Sequence, residues 1–110
     1  MDRYIFHIIR RAEWLEALER GDYVPPSLSA EGFIHCSTAD QVSPTAERWF
    51  AGQNELVVLR IDTQLLTPVL KYEAPRNAGP ERQNERFPHL YGALNLNAVV
   101  DVVDFPLNST

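Results

Sequence analysis

The sequence predicts an α+β fold, with a small mixed or antiparallel sheet of about five strands and two main helices. Five segments have the length and apolar character of strands, whereas only two have helical periodicity. The helices do not alternate regularly with the strands, which argues against a doubly wound parallel sheet. A chain of 110 residues is long enough for one core, so we expect residues 1–110 to form a single domain.

The first strand and the first helix have clear signals. Residues 4–9 are apolar on both alternations, which is typical of a central strand. A helix is predicted over residues 12–20, and Gly21 lies where a C-terminal cap belongs. The predicted apolar face of this helix comprises Trp14, Ala17 and Leu18.

The next segment is predicted as a loop over residues 22–30, followed by a strand over residues 32–37. Thr38 and Gln41 have the spacing of a capping box, which predicts a helix start at Ala39. Because Pro44 disfavours a helix interior, we expect a restart with Ser43 as N-cap. The buried side of this second helix is predicted to comprise Val42, Ala46, Trp49 and Phe50.

The second half of the chain is richer in strands. Residues 55–61 and 69–73 are predicted strands, and residues 62–67 a turn with one helical turn. Residues 74–86 are polar and form the longest irregular stretch, the kind of loop that is often functional. Residues 87–95 are predicted to be a rigid aromatic segment, at a cleft mouth or inserted into the core. Residues 96–105 supply the last strand.

Composition limits the classes of partner. The net charge of −5 argues against DNA binding, which draws on clustered basic residues. Nine of the ten basic residues are arginine, and Arg76, Arg82 and Arg86 fall in the polar loop, where a phosphate or a planar group suits them. Neither a membrane span nor a signal segment is visible, and Cys36 is the one cysteine, so we expect a cytoplasmic protein.

Three histidines are the main functional candidates. His7, His35 and His89 each lie in an apolar context, and a buried imidazole must satisfy two ring nitrogens. Either each ring is held by a core hydrogen bond, or the three line a shared polar cleft. Their scattered spacing does not match a zinc site, so no metal is expected.

Other side chains are weaker candidates. Cys36 is expected to pack as a small apolar residue, because it points away from His35 on a strand. Glu31, Glu73 and Glu85 are the carboxylates of interest, and either Glu73 or Glu85 could orient a histidine or act as a base. The candidate ligand-binding residues are Ser27, Ser37, Arg86, Tyr91 and Asn95.

Several segments together resemble the bacterial family known as domain of unknown function 952. They include residues 4–8, 31–37 (EGFIHCS), 48–50, 71–73 and 87–92 (FPHLYG). The likeness extends over nearly the whole chain. The family is in turn similar to the ADP-ribosyltransferase fold, which implies that His7 contacts the ribose of NAD and that His35 lies near the nicotinamide.

The resemblance leaves the chemistry open. The late catalytic glutamate of ADP-ribosyltransferases has no counterpart here, since the matching region carries His89, Tyr91 and Asn95. RNA 2′-phosphotransferases share that fold without the glutamate and use histidine and arginine. Three hypotheses follow: an NAD- or phosphonucleotide-dependent transferase or hydrolase, a non-catalytic nucleotide or small-anion binding module, or an interaction protein with structural histidines.

Overall fold

The computed structural model describes residues 2–75, 80–82 and 84–105. It confirms a mixed α+β fold whose strands pair only in the antiparallel sense within this part of the chain. The helices are α1 (Arg11–Arg20), α2 (Pro26–Glu31) and α3 (Val42–Trp49). The strands are β1 (Tyr4–Arg10), β2 (Asp22–Tyr23), β3 (Ile34–His35), β4 (Leu56–Asp62), β5 (Val69–Glu73), β6 (Phe87–Tyr91), β7 (Leu94–Asn95) and β8 (Val99–Phe105).

The long sheet consists of β1, β4 and β8, with β4 in the centre. The prediction that residues 4–9 form the central strand was therefore wrong, although the strand itself is confirmed. Six of the seven residues of β4 are buried, because apolar residues cover both of its faces. One face, with Val57, Leu59 and Ile61, belongs to the main core, while Leu56 and Val58 pack beneath α3.

The histidine sheet, which we define as β3, β6 and β5, has two unlike faces. One face contributes Ile34 and Leu90 to the main core. The other carries His35 and His89, which lie directly opposite each other on β3 and β6. The sequence predicts residues 87–95 as a rigid aromatic segment fixed by Pro88 and Gly92, and not as a strand. Pro88 instead lies within β6, where its carbonyl accepts a hydrogen bond from the Cys36 N–H at 2.9 Å.

A single bridge joins the two sheets. The backbone N–H of Phe6 on β1 donates to the Ser37 carbonyl at 2.8 Å, and the Ser37 N–H donates back to Phe6 at 2.7 Å. Ser37 lies two residues beyond the end of β3, so the predicted strand over residues 32–37 is shorter than expected. The bridge brings His7 close to the backbone of His35.

The count of about five strands is too low, because eight are present among the described residues. The strands that the sequence did not reveal are β2, β6 and β7, and β2 pairs with β7. Strands of two residues are too short to show an alternation pattern. The predicted loop over residues 22–30 also contains α2, in which Pro26 takes the first helical position and Gly32 caps the end with a φ of 89°.

The first helix largely confirms its prediction, including a left-handed Gly21 cap with a φ of 93°. Its Trp14 and Ala17 are buried, but Leu18 is 51% exposed. In the second helical region, the Thr38 N–H donates to Gln41 Oε1 at 2.9 Å, as the capping box requires, and a 3-10 turn follows. No helix in the described ranges has the length and apolar character needed to cross a membrane.

The predicted restart at Ser43 was wrong. Helix α3 begins at Val42, which places Pro44 third in the helix. The first turn has no intrahelical acceptors for its N–H groups, so proline costs no hydrogen bond there. Trp49 was predicted to be buried but is 66% exposed, whereas Ala46 is buried against the long sheet.

The two tryptophans therefore provide a matched stability test. Trp14→Ala should lower the free energy of unfolding by about 3 kcal/mol or more, because it empties a core position. Trp49→Ala should change it by no more than about 0.5 kcal/mol, since that side chain is mostly exposed. Urea unfolding followed by circular dichroism would measure both, and equal losses would contradict the burial described here.

Candidate functional site

A cleft of about 530 Å³ opens where the long sheet meets the histidine sheet. Its floor is formed by histidines and small polar residues, and its walls by aromatic rings and prolines. The lining residues are His7, Ile8, Glu13, Tyr23, Pro25, Pro26, Ser27, Glu31, His35, Cys36, Ser37, Thr45, Trp49, Phe50, Pro75, Arg82, Phe87 and His89. The three sequence-predicted histidines are thus brought to one cleft.

Both ring nitrogens of His7 are used by the protein. Its Nδ1 lies 2.6 Å from the His35 carbonyl oxygen, which can only accept, so Nδ1 carries the proton. Its Nε2 therefore accepts from the Tyr23 hydroxyl at 2.9 Å. Burial lowers the pKa of His7 to about 4, so the ring is neutral at physiological pH. His7 holds β1, β2 and β3 together.

Tyr23 was not predicted as a site residue, and it shapes the polarity of the cleft. Because its only hydroxyl proton points to His7, the Tyr23 oxygen can accept but not donate a further hydrogen bond. Burial raises the pKa of the Tyr23 hydroxyl, which keeps this proton in place. Nothing in the short segment around Tyr23 distinguishes it from a core aromatic residue.

His35 is oriented by a carboxylate. Its Nε2 lies 2.8 Å from Glu31 Oε2, across the Gly32 turn that ends α2. The carboxylate accepts a proton from Nε2, so in the neutral ring Nδ1 is the lone-pair nitrogen. The sequence did not predict this orienting role for Glu31, although its four-residue separation from His35 was an available signal.

His89 has the same arrangement on the neighbouring strand. Its Nδ1 lies 2.9 Å from Glu73 Oε1, which also accepts from the Tyr91 hydroxyl. The ring is 2% exposed and stacks on Phe33 at a centroid distance of 4.0 Å. Burial lowers the pKa of His89, and the hydrogen bonds from Tyr91 and His89 lower that of Glu73. At neutral pH this is a neutral imidazole on an ionised carboxylate.

Together, His35 and His89 form a pair of carboxylate-anchored imidazoles. Their ring centroids are 5.5 Å apart, with an interplanar angle of 73°. Each ring has one nitrogen on a glutamate, and among the described residues the other nitrogen has no hydrogen-bond partner. Such nitrogens can accept a proton, or donate one once protonated.

Four other residues that the sequence analysis considered also line the cleft. Ser27 and Ser37 line the cleft, and the Ser37 hydroxyl lies 3.5 Å from Thr45 Oγ1. Cys36 also borders the cleft, but burial raises the pKa of its thiol, so it is a poor nucleophile. Arg82 lines the cleft and lies 3.3 Å from Glu85.

Five predicted residues that the structure describes are not among the lining residues, and the first of them, Glu73, contacts His89. The Tyr91 hydroxyl donates a hydrogen bond to Glu73. Asn95 stabilises a turn, because its side chain accepts from the Thr67 N–H and donates to the Leu65 carbonyl. Arg86 is exposed and donates to the Glu85 carbonyl. Glu85 pairs with Arg82. The loop residue Arg76 lies outside the described residues.

No group of three or more potential metal-ligating side chains occurs within residues 2–75, 80–82 and 84–105. The aromatic side chains Trp49, Phe50 and Phe87 add flat apolar surface to the walls of the cleft.

Comparison with known proteins places the chain in a family. The model for "Protein of unknown function (DUF952)" matches residues 8–102, so the chain belongs to this family. The crystal structure of protein CC0527 from Caulobacter crescentus is 37% identical, with a TM-score of 0.81, covering 96% of this chain and 89% of that one. Its solution NMR structure gives 37% identity and a TM-score of 0.79, with 98% and 89% covered. No curated protein matches the chain.

The neutral state of His7 predicts a pH dependence of stability. The ordinary histidine pKa is 6.5 and the folded value about 4, so between these values the unfolded state binds more protons. The free energy of unfolding should therefore fall as the pH drops through this window. Chemical denaturation at several pH values would measure it, and His7→Gln should remove much of the slope. An unchanged slope in the variant would contradict this assignment.

Proposed function

We propose that the cleft binds a nucleotide-like small molecule, with NAD and ADP-ribose as the first candidates, and that the protein acts on it by transfer or hydrolysis. The observation that carries the proposal is the His35–His89 pair, in which two imidazoles are fixed by carboxylates at the base of a cleft with aromatic walls. The volume of about 530 Å³ falls within the usual range for small-molecule sites.

The walls suit a planar ring. Phe50 and Phe87 offer flat apolar surface, and Trp49 is exposed at the same cleft. Aromatic side chains favour stacked or edge-to-face contacts with another ring. The burial of so large an indole would normally stabilise the fold, so its 66% exposure beside the cleft favours a role in ligand contact.

The charges suit a ligand with few phosphates. Arg82 is the one arginine or lysine among the described lining residues, whereas Glu13 and Glu31 contribute negative charge. Arg82 could meet a phosphate, and His35 could add a second positive group when protonated. When bound, NAD would supply the glycosidic bond to be broken, and these residues would hold its ring and one phosphate.

Similarity to the ADP-ribosyltransferase fold is part of this proposal. His7 and His35 both line the cleft, as that similarity requires. Since both His7 nitrogens are already bonded, His7 would act on a ligand through the Tyr23 oxygen. His35 and His89 are then the groups that can move a proton, with Glu31 and Glu73 as positioning residues.

Binding without turnover is the second candidate function. The observation that favours it is that neither the thiol nor the buried serine hydroxyl at the cleft is activated as a nucleophile. The Cys36 thiol is protonated in its buried setting, and the Ser37 hydroxyl is buried beside Thr45. A module of this kind would bind the same ligands and release them unchanged.

Thermal shift with NAD, and with ADP-ribose as a control, tests the proposal. A ligand at about 100 times its dissociation constant should stabilise the fold by roughly 2.7 kcal/mol, a shift on the order of ten degrees. Trp49→Ala should reduce the shift without lowering the melting temperature of the free protein, because the indole is exposed. An unchanged melting temperature with both ligands at millimolar concentration would contradict the binding of NAD and ADP-ribose.

Turnover separates the two candidates. Incubation of NAD with the protein, followed by chromatography, would reveal nicotinamide release if the site is catalytic. His35→Gln should abolish that release, whereas Glu47→Gln on the exposed side of α3 should leave it unchanged. Saturable binding without product would favour the binding module.

A further inference from the structure

We propose that the His35–His89 pair is the subsite for a phosphate group of the ligand, which it binds together with one proton. The inference rests on the proposed function and narrows its ligand to a nucleotide with a terminal phosphate monoester, because the bridging phosphates of NAD and ADP-ribose carry no P–O–H proton near neutral pH. It starts from the cross-strand register, which puts these two rings side by side on one face of the histidine sheet.

The geometry leaves one nitrogen of each ring for the ligand. Glu31 holds Nε2 of His35 at 2.8 Å, and Glu73 holds Nδ1 of His89 at 2.9 Å. The available nitrogens are therefore His35 Nδ1 and His89 Nε2, on rings whose centroids are 5.5 Å apart. Two phosphate oxygens are close enough together to be reached by two such neighbouring rings.

The two rings differ in exposure. The His35 side chain is 49% exposed, whereas that of His89 is 3% exposed beneath Phe33. A positive charge on one ring disfavours a second charge on the other at this separation. Burial lowers the pKa of His89, so His89 is the acceptor side of the pair and the more exposed His35 is its donor side.

A phosphate monoester that carries one P–O–H proton offers an anionic oxygen to the donor ring and a proton to the acceptor ring. Protonated His35 can donate from Nδ1 to an anionic oxygen, and neutral His89 can accept the P–O–H proton at Nε2. Each nitrogen then has a partner of the opposite hydrogen-bonding type. A carboxylate without a proton would satisfy only the donor side.

The negative charge near the pair explains why the phosphate should bind with its P–O–H proton in place. Without the P–O–H proton, the phosphate would be repelled by the Glu73 carboxylate, whose pKa is lowered by hydrogen bonds from Tyr91 and His89. Among the described residues, the charged or titratable groups around the pair are Glu31 on α2, Glu73 and Lys71 on β5, Tyr91 on β6, Glu13 on α1, His7 on β1, Tyr23 on β2, Cys36 and Arg82. Phosphate binding should consequently weaken as the pH rises through the histidine range.

The test is an NMR titration of the imidazole nitrogens of the full chain with inorganic phosphate. We expect saturable shifts of His35 and His89 and a lower affinity at about pH 8 than at about pH 6. His7 is an internal control, since both of its nitrogens are bonded within the protein. If phosphate leaves both rings unshifted, or shifts His7 alone, the proposal is wrong.

Two variants remove only the nitrogen assigned to phosphate. His35→Gln retains an amide that can reach Glu31, and His89→Asn retains a donor for Glu73. Each should weaken phosphate binding about tenfold or more, because a charge-assisted or buried hydrogen bond is lost. Ser43→Ala, on an exposed position of α3, should have no effect. Unchanged binding in both folded histidine variants would overturn the assignment, and the wild-type titration stands if either variant fails to fold.

AMP and adenosine separate this proposal from the broader one. If AMP binds more tightly than adenosine and shifts the signals of both rings, the phosphate subsite and the nucleotide function are both supported. If AMP binds no better than inorganic phosphate while the rings still shift, the phosphate subsite stands and the nucleotide function fails. If AMP and adenosine bind equally and phosphate shifts neither ring, the subsite is wrong although the cleft accepts nucleosides.

Discussion

The hydrogen bond from His7 Nδ1 to the His35 carbonyl depends on, and reinforces, the bridge between Phe6 and Ser37. These contacts are the direct links between β1 and the strand that presents His35. Substitution of His7 by an apolar residue would leave the His35 carbonyl and the Tyr23 hydroxyl without their partner. The shape of the cleft therefore depends on a histidine that has no nitrogen left for a ligand.

The site combines rigid and accessible parts. His89 is fixed by Phe33 on its face and by Glu73 at Nδ1, and the opposite face of its sheet belongs to the main core. His35 lies closer to solvent and is held by a helix of six residues. Precise placement of one imidazole and easier access to the other is an arrangement suited to proton exchange between a buried site and a ligand.

Sequence reasoning succeeded where local patterns were strong. The apolar runs of β1 and β4, the Gly21 cap and the Thr38 capping box all follow from short-range chemistry. It failed where tertiary pairing decided the outcome. The segment that contains Pro88 was not predicted as a strand, yet Pro88 lies in β6. Strand β2 forms only because β7 lies beside it. The three histidines named from the sequence line one cleft, but Tyr23 has no sequence signal that separates it from a core residue.

The two tryptophans occupy opposite environments, with Trp14 in the main core and Trp49 beside the cleft. Indole fluorescence depends on local polarity and on nearby quenching groups. The chain thus contains a built-in optical reporter of cleft occupancy, while the buried indole supplies a steady background. Emission from a Trp14-only variant, in which Trp49 is replaced by phenylalanine, would isolate that background and make screening of unlabelled ligand libraries practical.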